Sequence, residues 1–366
     1  MILYLDSLFV EDRDRAVRPL HVIPDTLSQL YQMAMREHRR KAVLLHRVGD
    51  RWAPTPDWRF DRQVIRLGLY LREHAGIEPG DRVAIVSEFR PEYPVVDFAA
   101  AALGAATLSL PPALGIEPLA EGLRDLAPRA LFVSGAVLER AIAARERAAT
   151  SVLVVAFDGF SSTDDVLSYS SILDLGGTLD TPERAQSFRA GAREIGPDQL
   201  AVLQYELTRE GTWTCEHLTQ GDVIAALRER WRGRPAHEGD VAYVVGPEPS
   251  LASRLAVYGF IGEGYTTVAL GTPGEERAEL AELRPHVIVA PPASLERLVG
   301  EAGQDTAAGV SRVLQRWLGP RREERALRRI LGGRLRWLAP TGTLDPDAML
   351  RLAAVEIGTT PVSPVR

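Results

Sequence analysis

Between Glu78 and Phe157 short runs of apolar residues alternate with segments of helical spacing, and this alternation constrains the fold more than any other feature. Glu78-Pro-Gly-Asp-Arg-Val-Ala-Ile-Val86 turns through Pro-Gly into a strand over Val83–Val86. The pattern then predicts a helix over Pro94–Gly104 with a glycine C-cap, a strand over Thr107–Leu110 and a helix over Glu117–Leu126. A strand over Ala130–Ser134, a helix over Val137–Ala148 and a strand over Val152–Phe157 follow. Strands that are apolar on both faces and separated by helices belong to a parallel sheet covered on both sides, with right-handed crossovers. The fold class is α/β and doubly wound.

The flanking segments extend this plan. Leu27, Leu30, Tyr31 and Ala34 place one face of a helix starting at Thr26, and the basic run His38–Lys41 suits its solvated C-terminal end. Ala42–Val48 and the residues around Trp52 read as a hairpin turning at Gly49-Asp50, and Val64, Leu67 and Leu71 mark the next helix. Asp158–Gly191 is rich in Ser, Thr, Asp and Gly and reads as a linker. A second αβ series has strands over Val241–Val245, Thr267–Leu270, His286–Ala290 and Leu335–Ala339, with a long charged helix over Arg312–Arg329. Two packed αβ subdomains are therefore expected: residues 1–190, carrying the N-terminal helix and hairpin, and residues 191–366.

Composition narrows the function. A chain of 366 residues, 45% hydrophobic and 25% charged, is ordinary globular material. A net charge of -6 gives no nucleic-acid footprint. No apolar run is long enough to span a membrane, and the start MILYLDSLFVEDRD lacks a basic leader, so a cytoplasmic location is expected. The lone Cys215 excludes an internal disulfide. Of the 43 basic residues one is lysine, Lys41, and the rest are arginine. That excludes a Gly-Lys-Ser/Thr phosphate loop and leaves Lys41 alone for Schiff-base chemistry.

Asp198–Asp222, DQLAVLQYELTREGTWTCEHLTQGD, runs from an apolar strand through a polar segment into a helix bearing Val223, Ile224, Leu227 and Trp231. Such strand–loop–helix grammar cradles phosphate, because loop N–H groups and the helix N-terminus converge on an anion. The stretch resembles the signature loop of the adenylate-forming (AMP-binding, acyl-CoA synthetase-like) superfamily, D-D-L-A-x-I-x-Y-T-S-G-T-T-G-x-P-K-G-V-x-L-T-H. Asp198, Leu200, Ala201, Tyr205, Gly211, Leu218 and Thr219 fall on matching positions. The family's Thr-Ser pair is here Glu206-Leu207, its first loop glycine Thr208, its next two threonines Arg209-Glu210, and its Pro-Lys-Gly Trp213-Thr214-Cys215.

Other segments carry the same resemblance in the same order. Glu78–Val86 resembles the superfamily's xPGDRVAI, and Leu331-Gly-Gly-Arg-Leu-Arg-Trp-Leu338 resembles the LGGRLRF segment of long-chain fatty acid–CoA ligases. Pro247-Glu-Pro-Ser-Leu-Ala-Ser-Arg254 stands where the family has a histidine beside its acyl pocket; Ser250 takes that histidine's place and Arg254 matches. Val355–Pro364 stands where the adenine and magnesium motif YGxTE is expected, and that motif is missing. The ribose-binding aspartate motif and the C-terminal lid with its lysine have no counterpart in the sequence.

The resemblance implies the large N-terminal domain of an adenylate-forming enzyme. Its cofactors ATP, Mg and CoA, and a fatty acyl ligand, are implied by the resemblance alone. By resemblance the nucleotide-loop positions are Tyr205, Thr208, Arg209, Gly211 and Thr214, and the former acyl-pocket position is Ser250. No residue is assigned as catalytic and no metal site is expected. Charge-assisted contacts to a triphosphate contribute roughly 1.5–3 kcal/mol each. A carboxylate about 4 Å from a phosphate costs on the order of 1–4 kcal/mol, and Glu206, Glu210 and Glu216 lie in or beside this loop, with Arg209 to offset one. The expectation is a degenerate ATP loop on a binding or partner subunit, joined to a protein partner or to copies of itself through surface that the absent third would cover. The alternatives are a split ligase with its lid on another chain, and a pure protein-interaction module.

Three weaker signals carry structural readings. Gly259-Phe-Ile-Gly-Glu-Gly264 has the wrong order for a dinucleotide fingerprint and reads as a helix-to-strand turn. Cys215 has no evident base and reads as a partly buried thiol, and His286 reads as a hydrogen-bonded core histidine.

Overall fold

The apolar runs become the strands of two sheets. The computed structural model describes residues 24–37, 40–158, 165–207, 213–231, 237, 239–246, 250–264, 266–307, 322–354 and 358–359. The strands are β1 (Leu44–Val48), β2 (Arg51–Thr55), β3 (Arg82–Val86), β4 (Ala106–Ser109), β5 (Ala130–Val133), β6 (Leu153–Ala156) and β7 (Val166–Ser168). They continue with β8 (Leu200–Leu207), β9 (Trp213–Thr219), β10 (Val241–Val244), β11 (Thr267–Leu270), β12 (Val287–Ala290), β13 (Trp337–Pro340) and β14 (Gly358–Thr359).

One sheet has the order β7-β6-β5-β3-β4-β8-β9 and is parallel except for β9. The other has the order β14-β13-β12-β10-β11-β1-β2, parallel from β14 through β1. The two orders are the same pattern. In each, the second strand of the run pairs on one side of the first and the third on the other, so the chain switches direction between β3 and β5 and again between β10 and β12. A two-stranded extension then lies beside β4 in one sheet and beside β11 in the other. Burial follows the expectation of doubly covered strands: β4, β5, β10, β11 and β12 are buried along their whole length.

The chain divides into two compact units. One takes Lys41–Pro54 and the described residues from 237 onward; the other takes the described residues of 24–40 and 55–231. The division is therefore not a break at 190/191. Thr107, Leu108 and Ser109 of β4 pair with Val202, Leu203 and Gln204 of β8, which holds 191–231 in the earlier unit. Leu44 and Leu45 pair with Val268 and Ala269, which holds the hairpin in the later one.

Asp158–Gly191 is not a linker. Residues 159–164 lie outside the described residues, but β7 and the helices Tyr169–Leu179 and Pro182–Glu194 fill most of the rest. The small polar residues cap these helices. Ser168 Oγ accepts from Ser171 N at 3.1 Å, and Thr181 Oγ1 accepts from Arg184 N at 3.3 Å ahead of Pro182. Gly176 serves packing: a Cβ there would lie 2.1 Å from the carbonyl oxygen of Arg66 on the Asp57–Glu73 helix.

Elsewhere the expected strands and helices stand within about two residues of their observed ends, inside ordinary boundary scatter; the turn expected over Gly259–Gly264 is instead the last part of the Leu251–Glu263 helix, closed by Gly264 in the left-handed region. Leu27, Leu30, Tyr31 and Ala34 are buried on the Leu27–Glu37 helix. Of the helix expected over Arg312–Arg329, residues 322–330 are helical and 312–321 lie outside the described residues. Among the described residues no helix is long and apolar enough to cross a membrane.

Candidate functional site

The stretch expected to run strand–loop–helix runs strand–strand–helix. β8 continues to Leu207, and Trp213–Thr219 is a second strand that pairs back on it, Tyr205 with Cys215, Glu206 with Thr214 and Leu207 with Trp213. Thr208, Arg209 and Gly211 lie in the connection, outside the described residues. Thr214 is therefore a strand residue, and its side chain faces solvent with that of Glu216. Cys215, between them, points to the half-buried side.

Tyr205, Trp213 and Cys215 form the covered face of this hairpin. The rings of Tyr205 and Trp213 meet edge to face with centroids 5.9 Å apart, and all three residues pack against the apolar core under the first sheet. Partial burial, followed by the neighbouring Cys215 thiol, pushes the Tyr205 hydroxyl up to about 12. Burial also pushes the Cys215 thiol up, so it stays protonated at neutral pH and is a poor nucleophile.

Two of the residues shared with the superfamily frame do core work here, while the shared Asp198 and Leu200 are exposed. Ala201 and Leu218 are 2% and 4% exposed, whereas Thr214 and Glu216, at or beside altered positions, are exposed. Thr219 caps the Gln220–Trp231 helix reciprocally: its N–H donates to Asp222 Oδ2 at 3.0 Å, and Asp222 N–H donates to Thr219 Oγ1 at 3.1 Å. Gln220, fully buried, donates to Ala101 O at 3.1 Å and accepts from Ser28 N at 3.1 Å. The cap is legible in the Thr-x-x-Asp spacing, whereas sequence reasoning missed the Gln220 anchor, whose partners Ser28 and Ala101 lie far away in the chain.

A second cluster that the sequence did not announce sits at the switch point of the same sheet. Arg90, just past β3, pairs with Glu92 at 2.8 Å, Glu88 at 3.6 Å and Asp158, and lies 4.9 Å from the centroid of the Phe157 ring. Asp158 also accepts from Gly135 N at 2.9 Å. Ligands of open α/β sheets commonly sit outside the strand ends at such a point. Here those ends carry one of the chain's own ion-pair clusters.

Ser250 lies in the other unit. It caps the Leu251–Glu263 helix, its Oγ accepting from Ser253 N at 3.2 Å. One turn on, Arg254 is fully buried and its Nε donates to Tyr258 Oη at 3.2 Å. His286 accepts from Val241 N at 3.1 Å through Nδ1, and burial first, then Arg334 and His237, push it down to about 4. It is a neutral, half-buried histidine just before β12 rather than a core one. Among the described residues no group of three or more His, Cys, Asp and Glu is arranged to hold a metal.

A model of the AMP-binding enzyme family matches residues 58–357. No curated protein sequence matches the chain. The adenylation domain of a carboxylate reductase from Mycobacterium chelonae superposes with a TM-score of 0.72 at 17% identity, over 100% of this chain and 62% of that one. Acetoacetyl-CoA synthetase from Streptomyces lividans gives 0.67 at 18%, over 99% and 56%. The luciferase-like enzyme from the nonluminescent mealworm Zophobas morio gives 0.67 at 13%, over 95% and 73%. The chain thus spans under two thirds of the length of the first two. At these identities the likeness is one of fold: the α/β architecture of the N-terminal domain of adenylate-forming enzymes. With the family match running through both sheets, the chain belongs to the AMP-binding enzyme family.

Proposed function

We propose that this chain is a catalytically degenerate, long-chain acyl-CoA synthetase-like member of the family that serves as a binding or partner subunit. One observation carries the reading: the described arm of its nucleotide loop is a strand bearing Trp213, Thr214 and Cys215 where the resemblance puts Pro-Lys-Gly. A lysine ammonium supplies a mobile point charge with three donors to a phosphate. A threonine hydroxyl and a protonated, half-buried thiol supply no charge. Glu216 adds an exposed carboxylate on the same strand, and the chain's one lysine, Lys41, belongs to the other unit. Arg209 is the loop's remaining cation in sequence. Losing two or three charge-assisted contacts of roughly 1.5–3 kcal/mol each weakens a nucleotide by several orders of magnitude.

The test is direct. The purified chain is incubated with ATP, magnesium and a panel of carboxylic acids that includes long-chain fatty acids, and AMP and pyrophosphate are quantified. The expected outcome is no release above the protein-free control. Carboxylate-dependent AMP release over repeated turnovers would overturn the reading.

A further inference from the structure

Within the later unit, a cleft of about 1040 Å³ opens between the helical stretch 322–330 and the helices Glu276–Leu283 and Pro292–Ala307. One wall carries Arg322, Arg325 and Arg329, spaced i, i+3, i+7 and therefore on one helical face. Along the axis they rise by about 4.5 and 6 Å, which lets three guanidinium groups reach one extended anion. All three are exposed, and among the described residues their side chains make no hydrogen bond or ion pair. Arg328, which does not line the cleft, is paired with Glu324 at 3.3 Å.

The facing wall does not neutralise this triad. Two of its three lining carboxylates are already committed: Arg277 pairs with Glu301 at 3.3 Å and Asp305 at 2.6 Å, and Arg297 pairs with Glu301 at 3.2 Å and, outside the lining, with Glu276. The lining thus holds five arginines against three carboxylates, Glu275, Glu301 and Asp305. Between the walls, Ala278, Ala281 and Ala326 leave room for the body of a ligand. Three like charges on one helical face repel one another, and a bound polyanion relieves that repulsion. Arginine is also the side chain whose planar fork matches phosphate oxygens two at a time. The volume is that of a small-molecule site.

We propose that this cleft binds a small ligand bearing two or more linked phosphates, held chiefly by Arg322, Arg325 and Arg329. The site belongs to neither the altered nucleotide loop nor Ser250, and its occupation does not depend on whether the chain turns over ATP.

Inorganic tripolyphosphate, without metal, titrated calorimetrically into the full chain tests it. Orthophosphate is the weak comparison, and the variants are R325E/R329E and R328E. R328E makes a charge change of the same kind on the same helix but outside the cleft, so it separates a local site from general charge attraction. The expected result is binding of tripolyphosphate at least about tenfold tighter than orthophosphate, weakening as salt rises. R325E/R329E, which reverses two charges against one, should lose at least about thirtyfold in affinity while R328E stays within about twofold. Thermal midpoints of the variants near that of the parent show that folding is intact. Absence of binding, equal losses in both variants, or full retention in R325E/R329E would overturn the proposal. Tighter binding of a hexaglutamate peptide than of tripolyphosphate would overturn it too, in favour of an acidic protein partner.

Discussion

Two glycines show what a single missing Cβ does. At Gly176 the added carbon would sit 2.1 Å from the Arg66 carbonyl oxygen, a backbone atom that cannot swing aside. Gly176→Ala therefore forces apart the Tyr169–Leu179 and Asp57–Glu73 helices and is expected to destabilise by about 1–3 kcal/mol. At Gly300, on the exposed side of the Pro292–Ala307 helix, a Cβ meets nothing within 4 Å. Gly300→Ala removes backbone freedom from the unfolded chain and is expected to stabilise by about 0.5–1 kcal/mol. Urea midpoints of the two variants should move in opposite directions, and a neutral Gly176→Ala would show that the helix contact is soft. The pair also explains why Asp158–Gly191 misleads a reader of the sequence. A glycine looks the same in a chain whether it makes a turn or admits a neighbouring helix, and its packing partner, Arg66, lies far away in the chain.

Helices and strands of the two series are legible because their apolar spacing is local. Val83–Val86 is uniformly apolar and Thr267–Leu270 is apolar after its first residue, with no competing reading for either. β9 was not legible: it is an edge strand with one half-buried face, and Thr214 and Glu216 on its open face make it look like loop. The cap at Ser250 was not legible for a related reason, since a serine beside a former pocket and a serine at a helix start are the same letter. Its role as a cap is testable. Ser250→Ala is expected to cost about 1 kcal/mol, with Ser250→Asp restoring most of it, because both serine and aspartate accept from the N3 amide. Thermal unfolding reads both variants. If Ser250→Ala leaves the midpoint unchanged, the cap is not contributing.

For the molecule as a whole, His286 makes stability depend on pH. Its folded value is pushed from 6.5 to about 4, by burial first and then by Arg334 and His237. Asp240 Oδ1 is 3.7 Å from its Nδ1, but that nitrogen already accepts from Val241 N, and Asp240 is tied to Arg336. Between those two values the unfolded chain binds the proton and the folded one does not. The contribution is therefore full above pH 6.5 and is lost as pH falls toward about 4, amounting to about 3 kcal/mol. Denaturant unfolding across this range should slope less steeply for His286→Gln than for the parent. Equal slopes would place the acid sensitivity elsewhere.

The pairing of distant segments was the part of the architecture least legible in the sequence, and one pairing bears on how the molecule is made. Thr267 Oγ1 donates to Ala42 O, 225 residues earlier, beside the parallel contact of β1 with β11. Among the described residues, the strands made first thus belong to the sheet completed last. At about 5–20 residues per second a ribosome needs roughly 10–45 s to deliver β11 after β1 has emerged. Throughout that interval the intervening unit can close its own sheet, while Leu44 and Leu45, fully buried at the end, wait without the strand that covers them. Vectorial synthesis therefore leaves an apolar edge held open at β1 until β11 arrives, a place where a chaperone has time to bind and where misassembly between nascent copies would start.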